Sequence, residues 1–149
     1  IVFADTPQPF LSRESQRWVM EHYSYNPKCV TEDWLDELMR VAALPKYQDS
    51  VEKMERQGLE KRVFIPSHGR QKAETYDLLM ERGTGRPNLL IWGLNDPTAT
   101  IDQGFVLFDM VSHREPRTEM HVFNESGHFT YREHPEAFNR LVLDYITNL

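Results

Sequence analysis

An α/β fold with parallel strands and flanking helices is what this sequence predicts, and three features predict it. Asn88-Leu89-Leu90-Ile91-Trp92-Gly93 is nearly all apolar over strand length instead of alternating, the pattern of a strand covered on both faces. A helical stretch over 103–113 and a further strand, Arg117 to Phe123, come next; strand, helix and strand in that order pair in parallel. Ile1 to Ala4 is another short apolar run, stopped by Asp5-Thr6-Pro7, and reads as a buried strand ended by turn chemistry.

Between the first strand and the second lies a long helical and polar stretch, about residues 8–83, interrupted at Pro27, Pro45 and Pro66. Thr31 is the expected N-cap of a helix, with Glu32 and Asp33 in its first turn favourable to the helix dipole. Trp34, Leu35, Leu38, Met39 and Ala42 recur at helical spacing before Pro45 ends the segment. Ser67 opens a further helix carrying Ala73, Tyr76, Leu79 and Met80, with Gly83 where a C-cap belongs. The loop Gly83-Thr84-Gly85-Arg86-Pro87 leads into the second strand; it precedes a strand instead of opening a helix, so it is a linker and not a phosphate loop. At the end of the chain Pro135 sits at an N1 position. Phe138, Leu141, Val142, Tyr145 and Ile146 then form an apolar stripe.

Three strands alone would leave Ile1–Ala4 as an apolar, uncovered edge. The chain also starts without Met, and further strands are expected upstream.

Composition narrows the function. The 149 residues carry 17 Lys and Arg against 23 Asp and Glu, a formal charge of −6, with 40% apolar residues. That is enough for a core, and the acidic balance with no basic block argues against nucleic acid and anionic membranes as partners. No apolar run approaches the roughly 18–20 residues that cross a bilayer. The single cysteine, Cys29, has no partner for an internal disulfide and fits a reducing compartment, so a cytoplasmic location is expected.

In a parallel α/β sheet, catalytic groups collect on the loops just past the carboxyl ends of the strands. Asp96 follows the strand ending at Gly93 within three residues, and His128 follows the strand ending at Phe123 in the turn Asn124-Glu125-Ser126-Gly127. Adjacent parallel strands bring these turns side by side. A carboxylate beside a histidine fixes the imidazole tautomer through Nδ1–H and stabilises the imidazolium formed when Nε2 takes a proton. Each residue alone has a plainer reading, since Asp before Pro is ordinarily a turn former and a lone His after Gly is ordinarily a surface residue. Their matching positions after consecutive strands favour the pair.

No G-x-S-x-G occurs, and none of the seven serines (Ser12, Ser15, Ser24, Ser50, Ser67, Ser112 and Ser126) has the small neighbours of a sharp nucleophile turn. Cys29, with no glycine around it, reads as a structural thiol. His121, His128 and His134 are spread over a strand, a turn and a helix start, with no metal-ligand motif such as H-E-x-x-H or C-x-x-C. No metal or cofactor is expected.

Arg86-Pro87-Asn88-Leu89-Leu90-Ile91-Trp92-Gly93-Leu94-Asn95-Asp96-Pro97, Asn124-Glu125-Ser126-Gly127-His128-Phe129 and Glu133-His134-Pro135-Glu136-Ala137-Phe138-Asn139-Arg140-Leu141-Val142 together resemble the final third of an α/β-hydrolase, most closely the meta-cleavage-product hydrolases, which split a C–C bond in aromatic ring-cleavage products. The resemblance implies the C-terminal portion of an α/β-hydrolase sheet with a helical cap, its N-terminal strands lying outside this chain. Residues 1–7 would be the core strand before the cap, 8–83 the cap or lid, and 84–149 the C-terminal core segment. It assigns Asp96 as the triad acid and His128 as the base, with the nucleophilic serine and oxyanion-hole amides preceding Ile1. Asp5 is a second possible acid, disfavoured because it runs straight into Thr6-Pro7. Trp34, Met39, Phe129 and Trp18 are expected to line an apolar cleft, and Arg40 is the candidate for the substrate carboxylate. Phe129 stands where most members close to this type carry Trp.

The implied substrate is a small apolar or aromatic-derived acid, of the 2-hydroxy-6-oxo-dienoate kind, in which the base first assists ketonisation and then supports hydrolysis. An ester hydrolase of the same fold and a non-catalytic ligand-binding module are the alternatives. Expected partners are the N-terminal half of the same hydrolase and, as a further option, a second copy in a homo-oligomer. The 149 residues alone are expected to be inactive, because a base without a nucleophile retains little.

Overall fold

The computed structural model describes residues 5–149, so the expected strand Ile1–Ala4 lies outside the described residues. Helices come first: α1 (Arg13–Tyr23), a 3-10 turn (Pro27–Cys29), α2 (Glu32–Ala42), α3 (Pro45–Arg56), a π-helical turn (Glu60–Phe64) and α4 (Ile65–Arg82). β1 (Asn88–Gly93), α5 (Ile101–Ser112), β2 (Thr118–Phe123), the short α6 (Thr130–Glu133) and α7 (Pro135–Thr147) complete the order.

Capping chemistry explains the helix boundaries. The Ser12 hydroxyl accepts from the Ser15 amide at 3.1 Å and opens α1. Thr31 does the same for α2 through the Trp34 amide at 3.4 Å, as the sequence predicts. Gly83 closes α4 at φ +63°, and its amide donates to the Leu79 carbonyl. Pro45 ends one helix and begins another, occupying the first position of α3, where its missing N–H has no intrahelical partner to lose. Pro66 interrupts less than its type suggests. It sits in the first turn of α4, and the chain before it stays wound as the wider π turn, so helix runs nearly without a break from residue 60 to Arg82.

α1 and α2 pack together, with Val19 and Leu35 buried. Arg13 binds both Glu32 and Asp36 at 2.6 Å, and Arg17 also reaches Glu32. These pairs are exposed and contribute little individually; burial of the apolar seam holds the helices together.

β1 and β2 pair in parallel, from Asn88 opposite Thr118 to Gly93 opposite Phe123. α5 lies on the face carrying Trp92 and Met120. A side chain at Gly104 would meet the Trp92 ring at 2.8 Å and the Met120 methyl at 2.9 Å, so glycine lets helix and sheet touch. The other face carries His121 and Phe123, which border a cleft together with Ala137 and Leu141 of α7. β1 is half-buried along its length, except for Gly93, instead of fully covered, because among the described residues β2 is its only strand neighbour. In α7, Phe138, Leu141, Val142 and Tyr145 are half-buried as the stripe predicts, whereas Ile146 is exposed. Both strands end, at Gly93 and Phe123, on the same side of the molecule.

Candidate functional site

The loops following β1 and β2 are sewn together by main-chain hydrogen bonds. The Leu94 amide donates to the Phe123 carbonyl at 2.8 Å and the Asn95 amide to the Ser126 carbonyl at 2.9 Å. This register delivers Asp96 to His128: imidazole Nδ1 lies 2.8 Å from Asp96 Oδ2.

Asp96 is 8% exposed, so its carboxylate must be satisfied within the protein. Its Oδ1 accepts from the Thr98 amide at 2.8 Å, the Thr98 hydroxyl at 2.9 Å and the Ala99 amide at 3.0 Å, leaving Oδ2 for the ring. Burial alone would raise the carboxyl's pKa. The amides of Thr98 and Ala99, together with His128 and the Thr98 hydroxyl, outweigh that cost and hold it below the ordinary aspartate value. The acid is therefore charged when it meets the imidazole, which fixes the proton on Nδ1 and leaves Nε2 as the acceptor. Among the described residues, Nε2 has no hydrogen-bond partner, and the His128 side chain is 45% exposed.

The backbone at His128 is held as firmly as the ring. Its amide donates to the Tyr23 carbonyl at the end of α1, at 2.8 Å. Gly127 has no room for a side chain: a Cβ there would lie 2.4 Å from the Tyr23 carbonyl oxygen and 2.7 Å from the Tyr25 amide. The glycine before the histidine thus lets the end of α1 press against the loop.

Aromatic rings surround this point. Tyr23 and Phe129 lie 5.2 and 5.3 Å from the His128 ring. Phe129 meets Trp34 of α2 edge to face at 4.9 Å and 88°, and the Arg132 guanidinium sits 4.3 Å over the Trp34 ring. The structure thus brings Asp96, His128, Phe129 and Trp34 together. The contacts of the other expected residues are local ones. Arg40 is exposed and bonded to Glu37 of its own helix at 2.7 Å. Met39 is half-buried, five residues from Trp34, which places it about 140° around the helix. Trp18 stacks on His22 of α1 at 3.7 Å. Asp5 is exposed, and it is Asp96 that holds Nδ1.

Sequence reasoning missed Thr98, Tyr23, Arg132 and Glu133. Thr98 had a signal: an Asp followed two residues later by Thr is the pattern of a local carboxylate-to-backbone turn. The others act across the tertiary structure. Cys29 donates to the Ser24 hydroxyl at 3.2 Å. Burial above all, and the Glu133 charge, push its thiol pKa up, the opposite of an activated nucleophile.

Over 60 residues, 40% of this chain, it is 43% identical to a 2-hydroxy-6-oxononadienedioate/2-hydroxy-6-oxononatrienedioate hydrolase from Pseudomonas putida, covering 20% of that protein. A 2-hydroxy-6-oxo-6-phenylhexa-2,4-dienoate hydrolase from Burkholderia cepacia is 33% identical over 86 residues, 57% of this chain and 29% of its own length. Two crystal structures of variants of the meta-cleavage product hydrolase CumD superpose with TM-scores of 0.67 and 0.66, at 21% and 22% identity. They cover 97% and 92% of this chain and 48% and 46% of CumD, the second being the enzyme from Pseudomonas fluorescens. No family model matches. The chain thus spans between about a fifth and just under half of these proteins. It has the fold of part of an α/β-hydrolase, and it resembles the C-terminal part of the meta-cleavage product hydrolases.

Proposed function

We propose that this chain supplies the acid and base of a serine-type α/β-hydrolase that cleaves a C–C bond in a 2-hydroxy-6-oxo-dienoate-like product of aromatic ring cleavage. The observation that carries the reading is the 2.8 Å contact of His128 Nδ1 with the buried, hydrogen-bonded carboxylate of Asp96, at the carboxyl ends of neighbouring parallel strands. Similarity to hydrolases of such dienoates supports the substrate class.

In this reading, Asp96 keeps the imidazole proton on Nδ1, and Nε2 takes the hydroxyl proton of a serine from outside these 149 residues. The imidazolium so formed, stabilised by Asp96, later returns that proton to the leaving carbon. Before cleavage the same base assists ketonisation of the dienol. Residues 8–83 act as a cap over the site, with Trp34 and Phe129 forming an apolar wall that excludes water. Arg40 takes the substrate carboxylate by exchanging Glu37 for it, and Met39 adds to the cleft. No cofactor is required. The unpaired thiol of Cys29 is in keeping with a reducing cytoplasm, and among the described residues no helix is long and apolar enough to cross a membrane.

The test is turnover of 2-hydroxy-6-oxo-6-phenylhexa-2,4-dienoate by the complete protein, against a simple aryl ester. Efficient cleavage of the dienoate that is abolished by His128→Gln is expected. Ester hydrolysis without dienoate cleavage would assign the site to an esterase, and activity that survives His128→Gln would remove the base from this chain.

A further inference from the structure

Glu133, at the end of α6, makes contacts that the acid–base pair does not account for. Its Oε2 accepts from the Gly127 amide at 2.6 Å and from the Ser126 hydroxyl at 3.4 Å, and its Oε1 accepts from the Asn26 amide at 2.8 Å. One carboxylate therefore ties the two residues before His128 to the segment that follows α1. Ser126 is fully buried, so water cannot replace Glu133 at its hydroxyl without opening the loop.

The same two segments meet a second time close by. The His128 amide donates to the Tyr23 carbonyl at 2.8 Å, and Gly127 lies against the backbone of Tyr23, Ser24 and Tyr25 with no space for a Cβ. The seam between residues 23–26 and 126–128 is thus closed by direct packing at Gly127, by the His128 amide and by Glu133. The histidine sits at its end, and its ring orientation follows from the position of its own backbone. A shift of the Gly127–His128 peptide carries the imidazole away from Asp96, which is anchored on a different loop by Thr98 and Ala99.

We propose that Glu133 is a positioning residue for His128, coupling the helical segment that begins at α1 to the orientation of the base. This rests on the reading of His128 as the general base. Glu133 does not touch the imidazole; it acts through the Gly127 amide and the Asn26 amide. Ionisable groups around His128 and this seam include Asp96 on the loop after β1, Tyr23 on α1, Tyr25 just beyond it, Cys29 on the 3-10 turn, and Arg132 and Glu133 on α6. Among the described residues, Glu133 is the carboxylate that spans the seam.

The experiment compares Glu133→Ala and Glu133→Gln with His128→Gln and Asp96→Asn in the complete protein, reading kcat, KM, melting temperature and the downfield Nδ1–H proton resonance of His128. Glu133→Ala is expected to lower kcat about tenfold or more with little change in KM, as misplacement of a base does, and to weaken that resonance in the folded protein. Glu133→Gln keeps one acceptor oxygen and is expected to fall between the two. A folded Glu133→Ala protein with wild-type kcat and an intact resonance, whatever its melting temperature, overturns the proposal. If that variant does not fold, Glu133→Gln carries the same test, and wild-type values for both readouts overturn it. Activity that survives His128→Gln would refute the base assignment instead, and the resonance would still report whether Glu133 orients the ring.

Discussion

A Cβ placed on Gly93 would lie 2.0 Å from the carbonyl oxygen of Gly127 and 2.7 Å from that of Ser126. The last residue of β1 and the residue before His128 are in backbone contact, and this closeness lets the Asp96 and His128 loops share hydrogen bonds. Gly93→Ala is expected to destabilise the fold by about 3 kcal/mol, because backbone atoms cannot yield as a flexible side chain can. A denaturant midpoint checks this, and an unchanged midpoint with intact activity would show that the loops part without cost.

Asp96→Asn is expected to lower kcat by on the order of 10⁴-fold with a small effect on KM, since the amide no longer enforces the productive tautomer. Steady-state kinetics on the complete protein reads this directly. Asp5→Asn serves as the comparison and should leave kcat unchanged; the reverse result would transfer the acid to Asp5.

The direction of the Asp96 shift also fixes a pH dependence of stability. Its carboxyl is held below the ordinary aspartate value in the fold, so the native state binds this proton more weakly than the unfolded chain. The resulting stability is present above the unfolded value, about 3.9, and is lost as pH falls through the lower folded value. Acid unfolding of Asp96→Asn should therefore be less steep below about pH 4 than that of the wild type, measured by circular dichroism during an acid titration.

Trp34 and Phe129 meet edge to face across the helical segment and the histidine loop. A double-mutant cycle with Trp34→Ala and Phe129→Ala is expected to give a coupling of about 0.5–1.5 kcal/mol in stability. Either single change should raise KM more than it lowers kcat, because these rings touch the substrate's apolar surface in the proposed site and not the reacting bond. Additive effects would mean that the two rings act separately.

Cys29 should react slowly with alkylating reagents at neutral pH. Burial and the nearby Glu133 charge raise its thiol pKa, and the thiolate is the reactive form. Alkylation followed by mass spectrometry should show a rate well below that of a free thiol. Cys29→Ser should retain activity in the complete protein.

The elements that could be read from the chain are those with local causes. Thr31 as a cap, Gly83 as a stop and Pro135 as a first helical residue each follow from the backbone needs of a few neighbouring residues. Asp96 and His128 could be found because their turns follow consecutive strands, and parallel pairing brings such turns together. The helices on either side of Pro45, and the π turn before Pro66, were less legible: a proline marks a break in both cases, but whether helix resumes at once depends on how the flanking turns pack.

By itself, then, the sequence determined the strand–helix–strand order and the capped helices, because periodicity and capping act over distances of a few residues, and it placed Asp96 and His128 on neighbouring loops, because consecutive parallel strands carry their turns side by side. Only the tertiary structure decided that Tyr23 anchors the His128 amide, that Arg132 covers Trp34, and that Glu133 binds Asn26 from 107 positions away along the chain. Such contacts have no local signature, since a carboxylate or a carbonyl meets its distant partner only after the apolar faces of the helices and strands have fixed where each segment lies.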